Sequence, residues 1–238
     1  MKLYAYCLVE DLDALDAATR GISGAAVRLL HIDEFAVLTS NFDDDTVAVT
    51  RENALDHAAV VRSVLDRTTP LPFRFGTLVT EQQLRNYISA RKPALQTRLT
   101  LVRGCVEMSV KIIREHITEN NLPAVPGEIT SGTSFLEEKR REILGTEANA
   151  AEAREISTWL HEQVANLARD EQVTLRSSEK LVVAAAHLVE RDKIPQYKET
   201  MTIARENRPE LHFLLSGPWP PYSFANIELE FKSQFGVS

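Results

Sequence analysis

The chain of 238 residues has only two cysteines, Cys7 and Cys105, and no long apolar run. Both cysteines lie in strand-like runs, so we expect reduced, buried thiols, which fits a cytoplasmic protein. No apolar run approaches the roughly 18 residues of a membrane span, and nothing with the layout of a signal peptide precedes the first strand, so no membrane partner is expected. An excess of basic charge is missing too. The net charge of -7 argues against nucleic-acid binding.

Catalytic and cofactor motifs are also missing. The sequence has no Gly-rich phosphate loop, no G-x-S-x-G and no H-E-x-x-H, and Cys105 has no evident base beside it. The six histidines are scattered. His187 and His212 are predicted in neighbouring strands, but without a carboxylate or thiol ligand nearby a structural pair is favoured over a metal site. We therefore expect no enzyme, no catalytic residues, no cofactor and no metal.

Hydrophobic periodicity divides the chain into two halves with the same order of elements. The first half is predicted as strand Leu3–Val9, a short helix around Leu12 and Leu15, strands Ala25–Ile32 and Phe35–Thr39, a helix carrying Val47, Leu55, Ala58, Val61 and Leu65, and a strand over 70–79. The second half is predicted as strand Cys105–Ile113, a long helix over about 135–170 that a capping box opens at Ser134, strands Val173–Arg176 and Leu181–Val189, helix Asp192–Glu206 and strand Leu211–Leu215.

This order predicts an α+β fold with two tandem ferredoxin-like (split βαβ) domains. The expected domains are 1–80, a helical connector over 81–104 that Pro93 should kink, 105–225, and a tail over 226–238. In the strand from Cys105, alternation predicts a covered face and a wet face, with Glu107 on the wet one.

Two segments rich in proline and aromatic residues end the two halves. We call residues 70–77 the first aromatic segment and residues 217–224 the second. In the first, Pro70 and Pro72 have the same parity, so their missing N–H groups should lie at a sheet edge or outside the pairing. Gly76 should allow a close approach of backbone or a ring, and Arg74 should lie opposite the two Phe side chains.

In the second aromatic segment, the prolines predict extended or polyproline backbone, which would place Tyr222 and Phe224 on one face. Both segments are typical of strands that close a domain, and they also suit a rigid apolar surface for a partner. The candidate interaction residues are Pro72, Phe73, Arg74, Phe75, Gly76, Pro218, Trp219, Pro220, Pro221, Tyr222 and Phe224.

The two segments together resemble the hallmark motifs of the gas vesicle protein F and L family. Pro-Leu-Pro-Phe-Arg-Phe-Gly-Thr at 70–77 and Gly-Pro-Trp-Pro-Pro-Tyr-Ser-Phe at 217–224 carry the resemblance. The segment from Ser131 to Arg140 is similar to the family's loop into a long helix, with Phe at 135 where members often have Tyr. The opening Leu3-Tyr4-Ala5-Tyr6 also resembles the family. The compact length favours the F type over the L type.

The resemblance implies a minor or accessory protein of the gas vesicle, a protein-walled buoyancy organelle, and no enzyme. It implies that the partners are the small hydrophobic shell subunit and other accessory proteins, and that the protein is cytoplasmic and associated with the vesicle. Without the resemblance, a rival hypothesis is a ferredoxin-like protein that binds or converts a small molecule in an interdomain pocket. Its candidate polar groups would be Arg74, His187 and His212.

Overall fold

The computed structural model describes residues 2–10, 12–114, 133–175, 181–225 and 227, with the side chains of 114, 133–148 and 181 left out. Contacts between residues divide the chain into two compact units. We call Met1–Glu107 with Pro218–Ser238 the N-terminal unit, and Met108–Gly217 the C-terminal unit. The chain therefore passes from one unit to the other twice, in the strand after Cys105 and just before Pro218.

The N-terminal unit is built on an antiparallel sheet whose order is β2-β3-β1-β4, with β5 also paired to β1. Its strands are β1 Lys2–Val9, β2 Arg28–Ile32, β3 Phe35–Phe42, β4 Leu71–Pro72 and β5 Leu78–Val79. Strand β1 is the centre of this sheet, since it pairs with β3 on one side and with β4 and β5 on the other. Its residues from Leu3 to Val9 are buried on both faces, which explains its continuous apolar sequence.

Two capped helices complete this unit. Helix α1 (Arg51–Ser63) begins after Thr50, and α2 (Glu81–Val102) begins with a capping box between Thr80 and Gln83. The predicted apolar stripe of α1 is correct at Val61 and Leu65, which are buried, and wrong at Ala58 and at Leu55, which is 58% exposed. The buried side of the helix is formed by His57, Val60 and Val61. The short helix expected around Leu12 and Leu15 is also absent from the described residues. A single 3-10 turn, Ile22–Gly24, lies between β1 and β2.

Helix α2 runs through Pro93 without a break, whereas the proline was expected to kink or interrupt it. The periodicity predicts an apolar stripe, and five of its members are buried, namely Leu84, Ile88, Leu95, Leu99 and Val102, while the sixth, Tyr87, is half-buried. The apolar contacts on both sides of Pro93 therefore outweigh the lost backbone hydrogen bond.

Replacing Pro93 by alanine should stabilise the N-terminal unit by about 1–3 kcal/mol, since the exposed proline removes a donor inside the helix. Chemical denaturation of wild type and Pro93→Ala would measure this difference. Ala94→Gly, at the exposed neighbouring position, should lower the stability by about 1 kcal/mol and so calibrates the assay. Equal stability of Pro93→Ala and wild type would mean that the proline causes no strain.

The C-terminal unit has a four-stranded sheet of order β7-β8-β6-β9. The elements in chain order are β6 Cys105–Arg114, α3 Thr133–Val164, β7 Ala168–Leu175, β8 Leu181–Glu190, α4 Ile194–Asn207 and β9 Leu211–Trp219. Strand β8, whose nearly continuous apolar sequence is typical of a central strand, lies between β7 and β6, and Pro195 lies in the first turn of α4. In both units the sheet order is that of a ferredoxin-like fold, so the predicted fold class is confirmed.

Two predictions for this unit need correction. Helix α3 ends at Val164 rather than near 170, because residues from Ala168 onward already pair with β8. His187 and His212 are not in neighbouring strands, since β6 lies between β8 and β9. The capping box at Ser134 and the loop before it lie outside the described side chains.

The contact-defined units differ from the predicted domain bounds at their C-terminal end. The predicted second domain ran to 225, whereas Pro218 and the residues after it have their contacts in the N-terminal unit. The predicted domain bounds remain a prediction.

Candidate partner-binding site

Residues 70–79 form two very short strands, β4 and β5, with a turn between them, rather than the single strand predicted over this range. Leu71 and Pro72 pair with Leu8 and Cys7 at the edge of the sheet, where a missing proline N–H does no harm. The predicted edge position is therefore confirmed. Phe73 N–H still donates to the Tyr6 carbonyl at 2.9 Å, and the chain then leaves the sheet.

The turn is closed by Thr77, whose N–H donates to the Arg74 carbonyl at 3.2 Å and whose hydroxyl donates to it at 2.7 Å. Gly76 has a φ of +83°, and a Cβ placed there would meet nothing within 4 Å. The glycine is thus required for its backbone angle and not, as predicted, for a close approach. Phe73 is buried, Phe75 is half-buried and Arg74 is exposed.

Behind this turn lies a group of rings that we call the His57 cluster: Tyr4, Tyr6, His57, Phe75 and Tyr222. The His57 ring is 5.7 Å from Tyr4, 5.9 Å from Phe75 and 6.5 Å from Tyr222, measured between centroids. The cluster brings together β1, α1, the turn of the first aromatic segment and the second aromatic segment. Aromatic contacts of this kind add to apolar burial and hold the rings in fixed positions.

A chain of hydrogen bonds orients His57. The N–H of Gly76 donates to the Tyr4 hydroxyl at 3.0 Å, and this hydroxyl lies 2.8 Å from Nδ1 of His57. With the imidazole proton on Nε2, the Tyr4 hydroxyl can donate to Nδ1 while it accepts from Gly76. Burial lowers the pKa of His57 to about 4, against a smaller opposite effect of the Phe73 carbonyl, so the ring is neutral at pH 7.

The second aromatic segment is extended, as predicted, as far as Trp219, where β9 ends. The prediction is wrong after that point, because Tyr222–Ala225 form one helical turn, α5. This turn separates the two rings that were predicted to share a face: Phe224 is fully buried, whereas Tyr222 is 41% exposed. Trp219 is 40% exposed and lies under the guanidinium of Arg62, with 5.5 Å from Cζ to the ring centroid.

Glu107 ties α5 to the N-terminal unit. Its Oε2 accepts the N–H of Ser223 at 2.7 Å, and its Oε1 accepts the Ser223 hydroxyl at 2.9 Å. Only 8% of Glu107 is exposed, which corrects its predicted place on a wet strand face. Burial raises the pKa of this carboxyl group, and the two bonds from Ser223 oppose the rise.

The two aromatic segments meet at a groove of about 170 Å³. One wall comes from the first segment and the other from α5 and the residues after it; the lining is Pro72, Phe73, Arg74, Tyr222, Ser223, Ala225 and Ile227. Most of this lining is apolar, with one exposed cation, Arg74, at the side. Of the predicted site residues, the structure thus brings together Pro72, Phe73, Arg74 and Tyr222, while Trp219 lies against Arg62 in the same unit.

Two residues of this region escaped the sequence analysis. His57 had a usable signal, because it lies three and four positions before the buried Val60 and Val61 and so shares their face. Glu107 had none, because its partner Ser223 is 116 residues away.

In the C-terminal unit, His187 is buried, and its Nδ1 is 2.6 Å from the Tyr197 hydroxyl. Glu171 lies opposite His187 in the pair of strands β7 and β8. Its Oε1 is 2.8 Å from Nδ1 of His161. Among the described residues, no group of three or more His, Cys, Asp or Glu side chains is arranged to hold a metal ion. Within the same residues, no helix has the length and apolar character needed to cross a membrane.

The two sheets and their helices define an α+β protein with two ferredoxin-like units. Solved structures share this architecture. The crystal structure of the gas vesicle protein GvpF from Anabaena superposes with a TM-score of 0.77 at 20% identity, covering 95% of this chain and 97% of that one. GvpF from Microcystis aeruginosa gives a TM-score of 0.75, also at 20% identity, covering 95% and 99%.

The chain belongs to the gas vesicle synthesis protein GvpL/GvpF family, whose model matches residues 2–226. It is 28% identical to gas vesicle protein L2 of Halobacterium salinarum, over 93% of this chain and 90% of the relative. It is 24% identical to gas vesicle protein F1 of the same organism, over 99% and 98%. The relatives bear both names, so the F type stays a prediction. Membership supports an accessory role in gas vesicles.

Proposed function

We propose that this protein binds the small hydrophobic shell subunit of the gas vesicle and helps to nucleate or protect it during vesicle formation. It would act in the cytoplasm at the growing vesicle, with other accessory proteins as further partners. The observation that supports this proposal best is a pair of partly exposed rings: Tyr222, which lines the groove, and Trp219, which lies three residues before it in the sequence. We call Arg74, Trp219, Tyr222 and the groove the contact surface.

The rings of the contact surface are held in place before any partner arrives. Trp219 lies against Arg62, and Tyr222 lies against His57. Large aromatic side chains that are already ordered lose little conformational entropy on binding and dominate many interfaces. An apolar segment of a partner would fill the groove over Phe73 and Ala225, both of which are buried at its floor.

The edge of the sheet next to the contact surface is protected against self-pairing. Strand β4 has only two residues, and one of them is Pro72. Short edge strands with proline prevent edge-to-edge aggregation, which is an advantage for a protein that handles apolar chains. The net charge of -7 would help to keep a complex with such a chain in solution.

A pull-down with this protein as bait and the co-expressed shell subunit as prey tests the proposal. The wild type should recover the subunit in soluble form. Trp219→Ala and Tyr222→Ala should each weaken binding by about tenfold or more, as expected for a central aromatic contact. Both rings are partly exposed, so the fold of the variants should be retained, which circular dichroism would verify.

The matched control is Leu55→Ala, because Leu55 is another exposed apolar side chain of the same unit, on the outer side of α1. It should bind like wild type. If both ring variants bind like Leu55→Ala, the contact lies elsewhere on the protein. If the folded wild type recovers no subunit at all, the proposed shell-subunit binding is refuted.

A further inference from the structure

The contact surface is assembled from two parts of the chain that are far apart in sequence. One wall of the groove, Pro72 to Arg74, is fixed by the sheet, since Pro72 pairs with β1 and Phe73 N–H bonds to Tyr6. The other wall, formed by Tyr222, Ser223, Ala225 and Ile227, follows the return of the chain from the C-terminal unit. The groove therefore exists only while this second wall is in place.

The second wall has little stability of its own. Helix α5 has four residues, too few to form a stable helix without tertiary contacts. Its position depends on the buried side chains of Phe224, Ala225 and Ile227 and on the bonds between Glu107 and Ser223.

The bonds between Glu107 and Ser223 form the polar part of this attachment. A buried carboxylate is unfavourable unless hydrogen bonds replace the lost water, and here one serine supplies both a backbone and a side-chain donor. Glu107 is also the last residue of the N-terminal unit before the chain crosses, so it holds the returning segment close to the point of departure.

We propose that Glu107 is a positioning residue for partner binding. Its two hydrogen bonds to Ser223, which we call the clasp, hold α5 in place and so form the second wall of the groove. This inference rests on the proposed function, because Glu107 acts on the partner only through Ser223, Tyr222 and the groove. When the clasp opens, Tyr222 leaves His57 and the contact surface is lost, while the sheet of the N-terminal unit remains.

Tryptophan fluorescence reports on the clasp directly. The chain has two tryptophans, Trp159 and Trp219, so Trp159→Phe leaves Trp219 alone, three residues before the start of α5 in the N-terminal unit. In this full-length background, acrylamide quenching of Trp219 and recovery of the shell subunit are measured for Glu107→Ala, Glu107→Gln and the control Glu155→Ala. Glu155 is an exposed carboxylate on α3.

Glu107→Ala should increase the quenching of Trp219 and weaken subunit binding by about tenfold, since Ser223 loses the acceptor of both its donors. Glu107→Gln should behave like the background, because the amide has the same shape, its oxygen accepts the Ser223 N–H and its NH₂ group donates to the hydroxyl. Glu155→Ala should also behave like the background. Rescue by Gln separates a positioning role from a mere effect of charge.

Unchanged quenching and unchanged binding in folded Glu107→Ala would overturn the proposal, as would increased quenching with full binding. If Glu107→Ala does not fold, Ser223→Ala takes its place; it removes the hydroxyl bond alone, so a smaller increase in quenching is expected and none would overturn the clasp. A wild type that recovers no subunit would refute the proposed function, and the quenching comparison would still decide whether the clasp exists.

Discussion

Replacing Phe73 by alanine is expected to lower the free energy of unfolding of the N-terminal unit by about 3–5 kcal/mol. Only 1% of Phe73 is exposed, and it is among the largest fully buried side chains of the described residues. It lies where the chain leaves the sheet, with its N–H still bonded to Tyr6. Removing the ring leaves a cavity under the groove that the paired backbone on the Tyr6 side prevents from closing.

Chemical denaturation followed by Trp219 fluorescence, in the Trp159→Phe background, measures this loss in the N-terminal unit. Phe73→Leu keeps most of the volume and should lose less than half as much, so it is the graded control. Trp219→Ala cannot replace Phe73→Ala in this test of core stability, because the side chain of Trp219 is partly exposed. A loss below about 1 kcal/mol for Phe73→Ala would mean that the turn closes around the gap.

The same result decides how binding experiments on this protein should be designed. A loss of partner binding in Phe73→Ala would mix two effects, because the variant weakens both the groove floor and the unit that carries it. Trp219 and Tyr222 are the side chains whose removal tests contact with a partner rather than stability. The buried Phe73 serves stability, whereas the partly exposed Trp219 and Tyr222 serve contact with a partner. The sequence alone does not show this difference in burial.

Much of the fold could be predicted from the sequence because local patterns are strong in this chain. Alternation in β6, the apolar run of β8 and the periodicity of α2 gave the type and approximate bounds of each element. The equal order of elements in the two halves then gave the ferredoxin-like class. Pro70 and Pro72 even gave the edge position of β4, since a missing N–H has few allowed places in a sheet.

The candidate site could be predicted only in part, because its geometry depends on contacts between distant residues. Prolines around Trp219 favoured extended backbone, yet Tyr222–Ala225 form a helical turn since Phe224 is buried and Ser223 bonds to Glu107. Between Phe73 and Thr77, which both bond to β1, the chain leaves the sheet because Gly76 adopts a positive φ and its N–H bonds to Tyr4. No local sequence pattern identifies Glu107 as the partner of Ser223 or Tyr4 as the partner of Gly76.

The sequence analysis placed each aromatic segment at the end of its own half, and the symmetry of the two halves supported that interpretation. The tertiary contacts break this symmetry after Gly217. The second segment ends β9 as expected, but its rings pack in the N-terminal unit, where Tyr222 meets His57 and Trp219 meets Arg62. The N-terminal unit thus carries both aromatic segments, and their residues meet at the groove.

Acidification should destabilise the N-terminal unit through His57 in the window between about pH 6.5 and pH 4. The pKa of His57 is lowered from 6.5 to about 4 by burial, so over this window the unfolded chain binds a proton that the folded unit does not. Stability therefore falls as the pH falls, by up to about 1.4 kcal/mol per pH unit and about 3 kcal/mol in all. Above pH 6.5 this group contributes no pH dependence.

Denaturation curves between pH 4 and pH 8, followed by Trp219 in the Trp159→Phe background, would show this slope. His57→Gln should be less stable at pH 7, because the Tyr4 hydroxyl loses a partner of ideal geometry, but its curve should be flatter on the acid side. His31→Gln, at an exposed position of β2, should keep the wild-type slope and serves as the control.

The C-terminal unit offers an independent repetition of the same test. Burial, with a smaller effect of His161, lowers the pKa of His187 to about 4, and Trp159 lies in the same unit. In a Trp219→Phe background, Trp159 should therefore report a second acid-side loss of similar size, which His187→Gln flattens and His57→Gln does not. Equal acid slopes in wild type and both glutamine variants would mean that the two imidazoles take up protons without unfolding, and that their burial is lost before the global transition.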